Sequence, residues 1–266
     1  MIGFFDSGVG GLTIIEEVHR RLPSYGTVYL GDSARMPYGE KRHDELVQFL
    51  WEGAQWLFAR GCSLIIVACN SASASALREV QQTKLSSFPG RRILGVIRPT
   101  VEELSHQGYK RILVLSTTAT KKSEAYVHEF AKINPSIQVI SHACPNWGPM
   151  VEEGKAVSIE MKIEVNRELS LVDDPSAIDA VLLACTHYPY VREDVEAFFL
   201  YKIPVFNQGN LVASSLEDYL LRHPEMERTL TKDGAREYFT TGDVANADFL
   251  ASKRFGYDVR FQNTFV

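Results

Sequence analysis

Two cysteines end two apolar runs, Cys69 in "LIIVACNSAS" and Cys185 in "VLLACTHYP", and each is followed by a small polar residue, Asn70 or Thr186. A thiol at a strand end that opens a helix meets the helix dipole and nearby N–H donors, both of which favour the thiolate. Two such thiols facing each other could form a redox disulfide, supply one nucleophile, or carry protons on opposite faces of a substrate carbon. A nucleophile needs only one of them, and redox pairs normally sit together in a short motif. Proton transfer by two bases uses both, because a planar carbanion can be reprotonated from either face.

Other stretches carry candidate chemistry. "DSGVGGLT", from Asp6 to Thr13, ends a strand and opens a helix, so its backbone N–H groups and the helix dipole suit a carboxylate or phosphate. The alternative is a tight glycine turn that packs helix on strand. A dinucleotide reading gains from Asp32 at the end of the next strand, and loses because Thr13 stands where the third glycine belongs. "GDSARMPYG" follows that strand with an acid, a hydroxyl and a proline-fixed loop that carries Tyr38 and Gly39.

The chain has four cysteines, Cys62, Cys69, Cys144 and Cys185. Free thiols are expected, since nothing suggests secretion. No cysteine pair has the short spacing of a zinc site and the histidines are scattered, so no metal is expected. A net charge of −5 offers no basic stripe for nucleic acid. "MIGFFDSG" enters a strand pattern without a basic leader, and no apolar run approaches membrane-spanning length. The expectation is a cytoplasmic protein acting on a small molecule, with neither nucleic-acid nor membrane partner.

These residues need a scaffold, and the pattern around them supplies one. "IGFFD", "TVYLGD", "SLIIVAC", "RRILGVI", "RILVLST", "IQVISHAC", "AVLLACT" and "IPVFN" read as buried strands, while 41–60 and 121–133 read as helices. Continuous apolar strands alternating with helices predict an α/β fold with parallel sheets covered on both faces. "IGFFDSGVGGLT" and "RILVLSTTATKK" look like copies, as do the two cysteine strands, so two pseudo-symmetric domains are expected. The tail, with "EYFTTGD" and a last strand pattern "YDVRFQN", is too small for a third domain and rejoins the first. Domain one is drawn as 1–97 plus 208–266, carrying Cys69, and domain two as 98–207, carrying Cys185. Chain crossings fall near Arg98 and Asn207. Ligands in open α/β sheets bind beyond the carboxyl ends of strands, so the two domains should share one cleft.

Taken together and in order, "FFDSGVGGLT", "GDSARMPYGEK", "VACNSASA", "MVEEG", "LLACTHYP" and "YFTTGD" resemble the bacterial glutamate racemases of the aspartate/glutamate racemase superfamily. The resemblance runs over nearly the whole chain. It implies a homodimeric isomerase that needs no cofactor and interconverts L- and D-glutamate for peptidoglycan. It also implies that Cys69 deprotonates D-glutamate and Cys185 L-glutamate, with Asp6 assisting the first thiol and His187 the second. By the same resemblance Asp32 and Glu152 are further cleft acids. Ser7, Tyr38, Gly39, Asn70, Ser71 and Thr186 hold the substrate's carboxylates and ammonium, next to Asp6 and His187. Three places depart from the family pattern: Arg98 stands where an acid is common, Ser71 where threonine is usual, and Asn207, Gln208 and Gly209 replace Asp-Ser-Gly. The alternatives are a racemase for another acidic amino acid such as aspartate, or an amino-acid-binding protein without catalysis on the same scaffold.

Overall fold

The computed structural model describes residues 1–254 and 256–266, so residue 255 of the tail lies outside the described residues. Its strands are β1 (Ile2–Asp6), β2 (Thr27–Gly31), β3 (Leu64–Val67), β4 (Arg92–Gly95), β5 (Arg111–Ser116), β6 (Gln138–Ala143), β7 (Ala180–Ala184), β8 (Val205–Phe206), β9 (Arg236–Thr240) and β10 (Phe261–Asn263). They form a six-stranded sheet, β10-β9-β2-β1-β3-β4, and a four-stranded sheet, β6-β5-β7-β8. Each of the strand pairs is parallel. All eight apolar runs named from the sequence contain a strand, and the chain is α/β as expected.

The repeat is visible in the topology. β2-β1-β3-β4 and β6-β5-β7-β8 have the same order, so β1 matches β5 and β3 matches β7. In such a sheet the strand order reverses between the first and third strands, and the crevice beyond their carboxyl ends is where ligands bind. Cys69 follows β3 and Cys185 follows β7 at that point. Every residue of β1, β2, β3 and β7 is buried, as continuous apolar runs covered on both faces must be.

The chain passes between the sheets twice. Helix Ile97–Ser105 turns Ile97, Val101 and Leu104 onto the second sheet, against Ile112, Val114 and Leu182. Helix Gly209–Arg222 returns to the first sheet and buries Val212, Ala213, Leu216 and Leu220 beside Leu12, Ile15 and Val18. Burying each of the larger side chains contributes about 1.5–3 kcal/mol. Gly209 permits the close approach, because a Cβ there would run into the Thr13 carbonyl and the Glu17 side chain.

One local expectation changes. The helix read over 121–133 is two helices, Thr118–Ser123 and Ala125–Ile133, broken at Glu124, whose φ of 53° is left-handed. Arg98, near the expected chain crossing, lies in the first turn of helix Ile97–Ser105, exposed and paired with Glu102 at 2.8 Å. Among the described residues no helix is long and apolar enough to cross a membrane.

Candidate active site

The two cysteine strands deliver their thiols to one cavity of about 240 Å³. Cys69 and Cys185 both line it, 3 % and 8 % exposed. All four cysteines are free thiols. Cys69 occupies the N-cap position of helix Asn70–Ser75, and its S–H points to Ser7 Oγ at 3.7 Å. Burial pushes this thiol up to about 12 and the Asp6 charge adds to that, outweighing the Ala72 N–H and Ser7 hydroxyl. The helix-start effect expected from the sequence is therefore present at Cys69 but overridden by burial. A bound cation or a new hydrogen bond that offsets the burial brings the thiolate toward neutral pH.

The opposite wall is charged. His187 Nδ1 lies 3.8 Å from Cys185 Sγ, and His187 Nε2 lies 2.5 Å from Glu152 Oε1. Burial alone would lower the imidazole, but the Glu152 carboxylate and the Cys185 sulfur push it well above its usual range. An imidazolium held there can hydrogen-bond sulfur as charge develops on it. Glu152 ends helix Trp147–Glu152, the turn that follows β6.

Asp6, expected beside the Cys69 side, lies near enough for its charge to act on that thiol, and its own contacts run elsewhere. Its Oδ2 accepts the backbone N–H groups of Gly8 and Gly11, each at 3.1 Å, and its Oδ1 accepts the Thr186 hydroxyl at 3.3 Å. Burial raises this carboxyl, with His187 and the two N–H groups pulling it back. The anion that the glycine-rich turn holds through Gly8 and Gly11 is thus the chain's own Asp6. Gly10 has a further reason to be glycine: a Cβ would lie 2.7 Å from Thr186 Oγ1 and 2.8 Å from the His187 ring. The bare turn lets β7's loop come down onto β1's.

Asp32 stands behind the cavity rather than on its lining. It is fully buried, and its carboxylate accepts from Tyr38 Oη, from Arg35 Nε at 2.6 Å and from Thr241 Oγ1 at 2.8 Å. Its geometry is that of a brace for Tyr38, whose ring does line the cavity. Ser7, Gly39, Asn70, Ser71, Thr186, Glu152 and His187 also reach the lining. Gly39 fits closely against Thr117 of the opposite loop, where a Cβ would lie 2.9 Å from the threonine's own.

The lining also contains residues that the sequence reading missed, among them Ser33, Glu40 and Thr117. Thr117 bonds Ser71 Oγ at 2.9 Å and follows β5 as Ser7 follows β1. The internal repeat carried that signal, since a hydroxyl after β1 implies its twin after β5. Proximity also gathers His142, Cys144 and Glu168, with candidate ligand atoms within 4.8 Å of one another. Glu168 there is already paired with His142 at 2.7 Å and Arg167 at 2.6 Å, an ion-pair network rather than an open ligand set.

Comparison with known proteins gives a consistent result. A profile of the family Asp/Glu/Hydantoin racemase matches residues 12–215. A glutamate racemase of Paracoccus denitrificans is 35% identical over 273 residues, covering 98% of this chain and 99% of that protein. Among solved structures, glutamate racemase isoform RacE1 from Bacillus anthracis superposes with a TM-score of 0.87 at 27% identity, covering 100% of this chain and 97% of that one. The glutamate racemase of Francisella tularensis, crystallised in complex with D-glutamate, gives 0.85 at 26% identity over 99% and 97%.

Proposed function

The chain belongs to the Asp/Glu/Hydantoin racemase family, and on that premise we propose that it is a glutamate racemase using two thiols, supplying D-glutamate for peptidoglycan. The observation that carries this reading is the arrival of two buried thiols, Cys69 and Cys185, from equivalent strands of two repeated sheets, in one small cavity.

In the L-to-D direction Cys185, as thiolate, takes the proton from Cα. The electron pair of that C–H bond stays on the substrate as a carbanion spread into the α-carboxylate, and Cys69 delivers its S–H proton to the other face. Charge has then moved from one sulfur to the other, and the D-to-L direction runs in reverse. His187 hydrogen-bonds the sulfur on the Cys185 side and is held by Glu152. Asp6 acts on the Cys69 side through its charge, which favours the protonated thiol, and holds Thr186 of the Cys185 loop, while Asp32 acts by holding Tyr38. Ser7, Tyr38, Gly39, Asn70, Ser71 and Thr186 receive the substrate's polar groups. Ser7, Asn70, Ser71, Thr186 and His187 are themselves buried, which strengthens their contacts. No cofactor enters these steps.

The division into 1–97 plus 208–266 and 98–207, closing on substrate as two halves, belongs to the same proposal. So do a homodimeric state and work in the cytoplasm. Circular dichroism of reduced protein with L-glutamate, L-aspartate and L-glutamine, and no added cofactor, tests the function. Decay of ellipticity is expected with L-glutamate. Decay confined to L-aspartate would assign the other acidic substrate, and a flat signal with all three would leave a binding protein.

A further inference from the structure

Asn70 is wired to the two places where the chain passes between sheets. Tyr126 Oη donates to Asn70 Oδ1 at 2.7 Å, and Asn70 Nδ2 donates to Gln208 Oε1 at 2.7 Å. Gln208 Nε2 closes the triangle on Tyr126 Oη at 2.8 Å and continues to Thr100 Oγ1 at 3.0 Å. Thr100 in turn donates to the Val96 carbonyl at 2.7 Å. None of the four side-chain-bearing residues Asn70, Thr100, Tyr126 and Gln208 is more than 3 % exposed. Each comes from a different element: Asn70 opens the helix after β3, Thr100 lies on Ile97–Ser105, Tyr126 on Ala125–Ile133, and Gln208 caps Gly209–Arg222.

An asparagine side chain offers two N–H donors and two oxygen lone pairs. The triangle takes one of each and leaves the others at the cavity wall, so which face of the amide meets the substrate is fixed from behind. We propose that Gln208 is a positioning residue for the reaction: it sets the Asn70 amide against Tyr126, so that the substrate-facing N–H is held in register with the second half. This rests on the racemase reading above. The residue matters because of its reach, since the serine familiar at this place in the resembling enzymes is too short to span Asn70, Tyr126 and Thr100 together. The departure at Asn207-Gln208 seen in the sequence thereby gains a task.

The test uses Gln208→Met, which keeps volume and loses the hydrogen bonds, Tyr126→Phe, which removes one oxygen, and the double variant. Racemisation of glutamate is followed by circular dichroism, with thermal unfolding run in parallel. Each single variant should lower kcat/KM roughly five- to tenfold, the scale of one or two lost hydrogen bonds, without moving the pH profile. The double variant should be no worse than the weaker single one, because both break the same triangle. A structural role alone would lower Tm and leave kcat/KM of the folded protein within twofold of wild type, and that result overturns the proposal. Additive losses in the double variant also overturn it. Should Gln208→Met fail to fold, Tyr126→Phe and Gln208→Ser carry the same comparison. A wild type that racemises no acidic amino acid overturns the racemase reading itself, whereas an active wild type with unaffected variants removes only the role of Gln208.

Discussion

His187 bridges Glu152 and Cys185, with Nε2 at 2.5 Å from the carboxylate and Nδ1 at 3.8 Å from the sulfur. The ring is 5 % exposed, and Glu152, against the cost of burial, keeps it protonated. An imidazolium in that position serves one thiol and not the other. His187→Asn should therefore lower kcat for L-glutamate about tenfold more than kcat for D-glutamate, the size of one charge-assisted hydrogen bond. The equilibrium constant of a racemase is one, so kcat/KM must stay equal in the two directions and KM for L-glutamate must fall in step relative to that for D-glutamate. Equal losses of kcat in both directions would assign the histidine to folding instead. Glu152→Gln should show the same asymmetry more weakly.

Cys69 offers a check on the resting state. With its thiol pushed up to about 12 by burial and then by Asp6, the thiolate fraction keeps rising with pH across the whole range below that value. In Cys185→Ser protein without substrate, alkylation of Cys69 by iodoacetamide, followed by peptide mapping, should be slow at pH 8. It should climb about tenfold per pH unit up to pH 10, as expected for a group titrating above that range. A plateau below pH 9 would show that the resting thiol is already activated.

His19, which is not on the cavity lining, predicts acid sensitivity. It is 3 % exposed, its Nε2 meets Thr27 Oγ1 at 2.9 Å, and its Nδ1 is buried without a hydrogen-bond partner. Burial, with Arg236 nearby, lowers the imidazole to about 4. The unfolded chain takes up this proton near pH 6.5 while the folded chain refuses it until about 4, so stability falls as pH drops through that window and levels off below it. Between pH 7 and pH 5 the loss from this group is about 2 kcal/mol. Urea unfolding at both pH values should show that wild type loses this much more than His19→Gln. Parallel losses would mean that the buried ring has another proton acceptor.

How far the sequence reaches can be judged residue by residue. The strands were legible because buried parallel strands are continuous apolar runs, and the repeat of β1 and β3 in β5 and β7 pointed to one shared site. The break at Glu124 was not legible, since nothing in "KKSEAYV" carries the glycine or asparagine that usually marks a left-handed residue. Asp6 and Asp32 were recognisable as acids at strand ends, yet their partners were not. Which N–H or hydroxyl a carboxylate meets depends on loops that pack from the other half, such as Thr186 onto Asp6. Gln208 stood out only as a departure, and its four-residue triangle and tether join segments far apart in the chain.

The two thiols give the last prediction. If they work on opposite faces of one Cα, each direction needs one as thiolate and the other as thiol. A serine hydroxyl in place of either is too weakly acidic to complete the pair near neutral pH. Cys69→Ser and Cys185→Ser should each lose racemisation by more than about a thousandfold, the combined worth of a general acid and a general base being at least that large. Both should still bind D-glutamate by calorimetry, because Ser7, Asn70, Ser71 and Thr186 remain on the lining. In deuterated solvent, the wild-type product formed in a single turnover should carry deuterium at Cα, since the thiol that reprotonates is not the one that abstracted. A single base would return part of the substrate's own proton. Substantial internal return, or a Cys185→Ser protein with near-normal turnover, would leave Cys69 as a lone base and remove the reason for the second cysteine strand to end in the cavity.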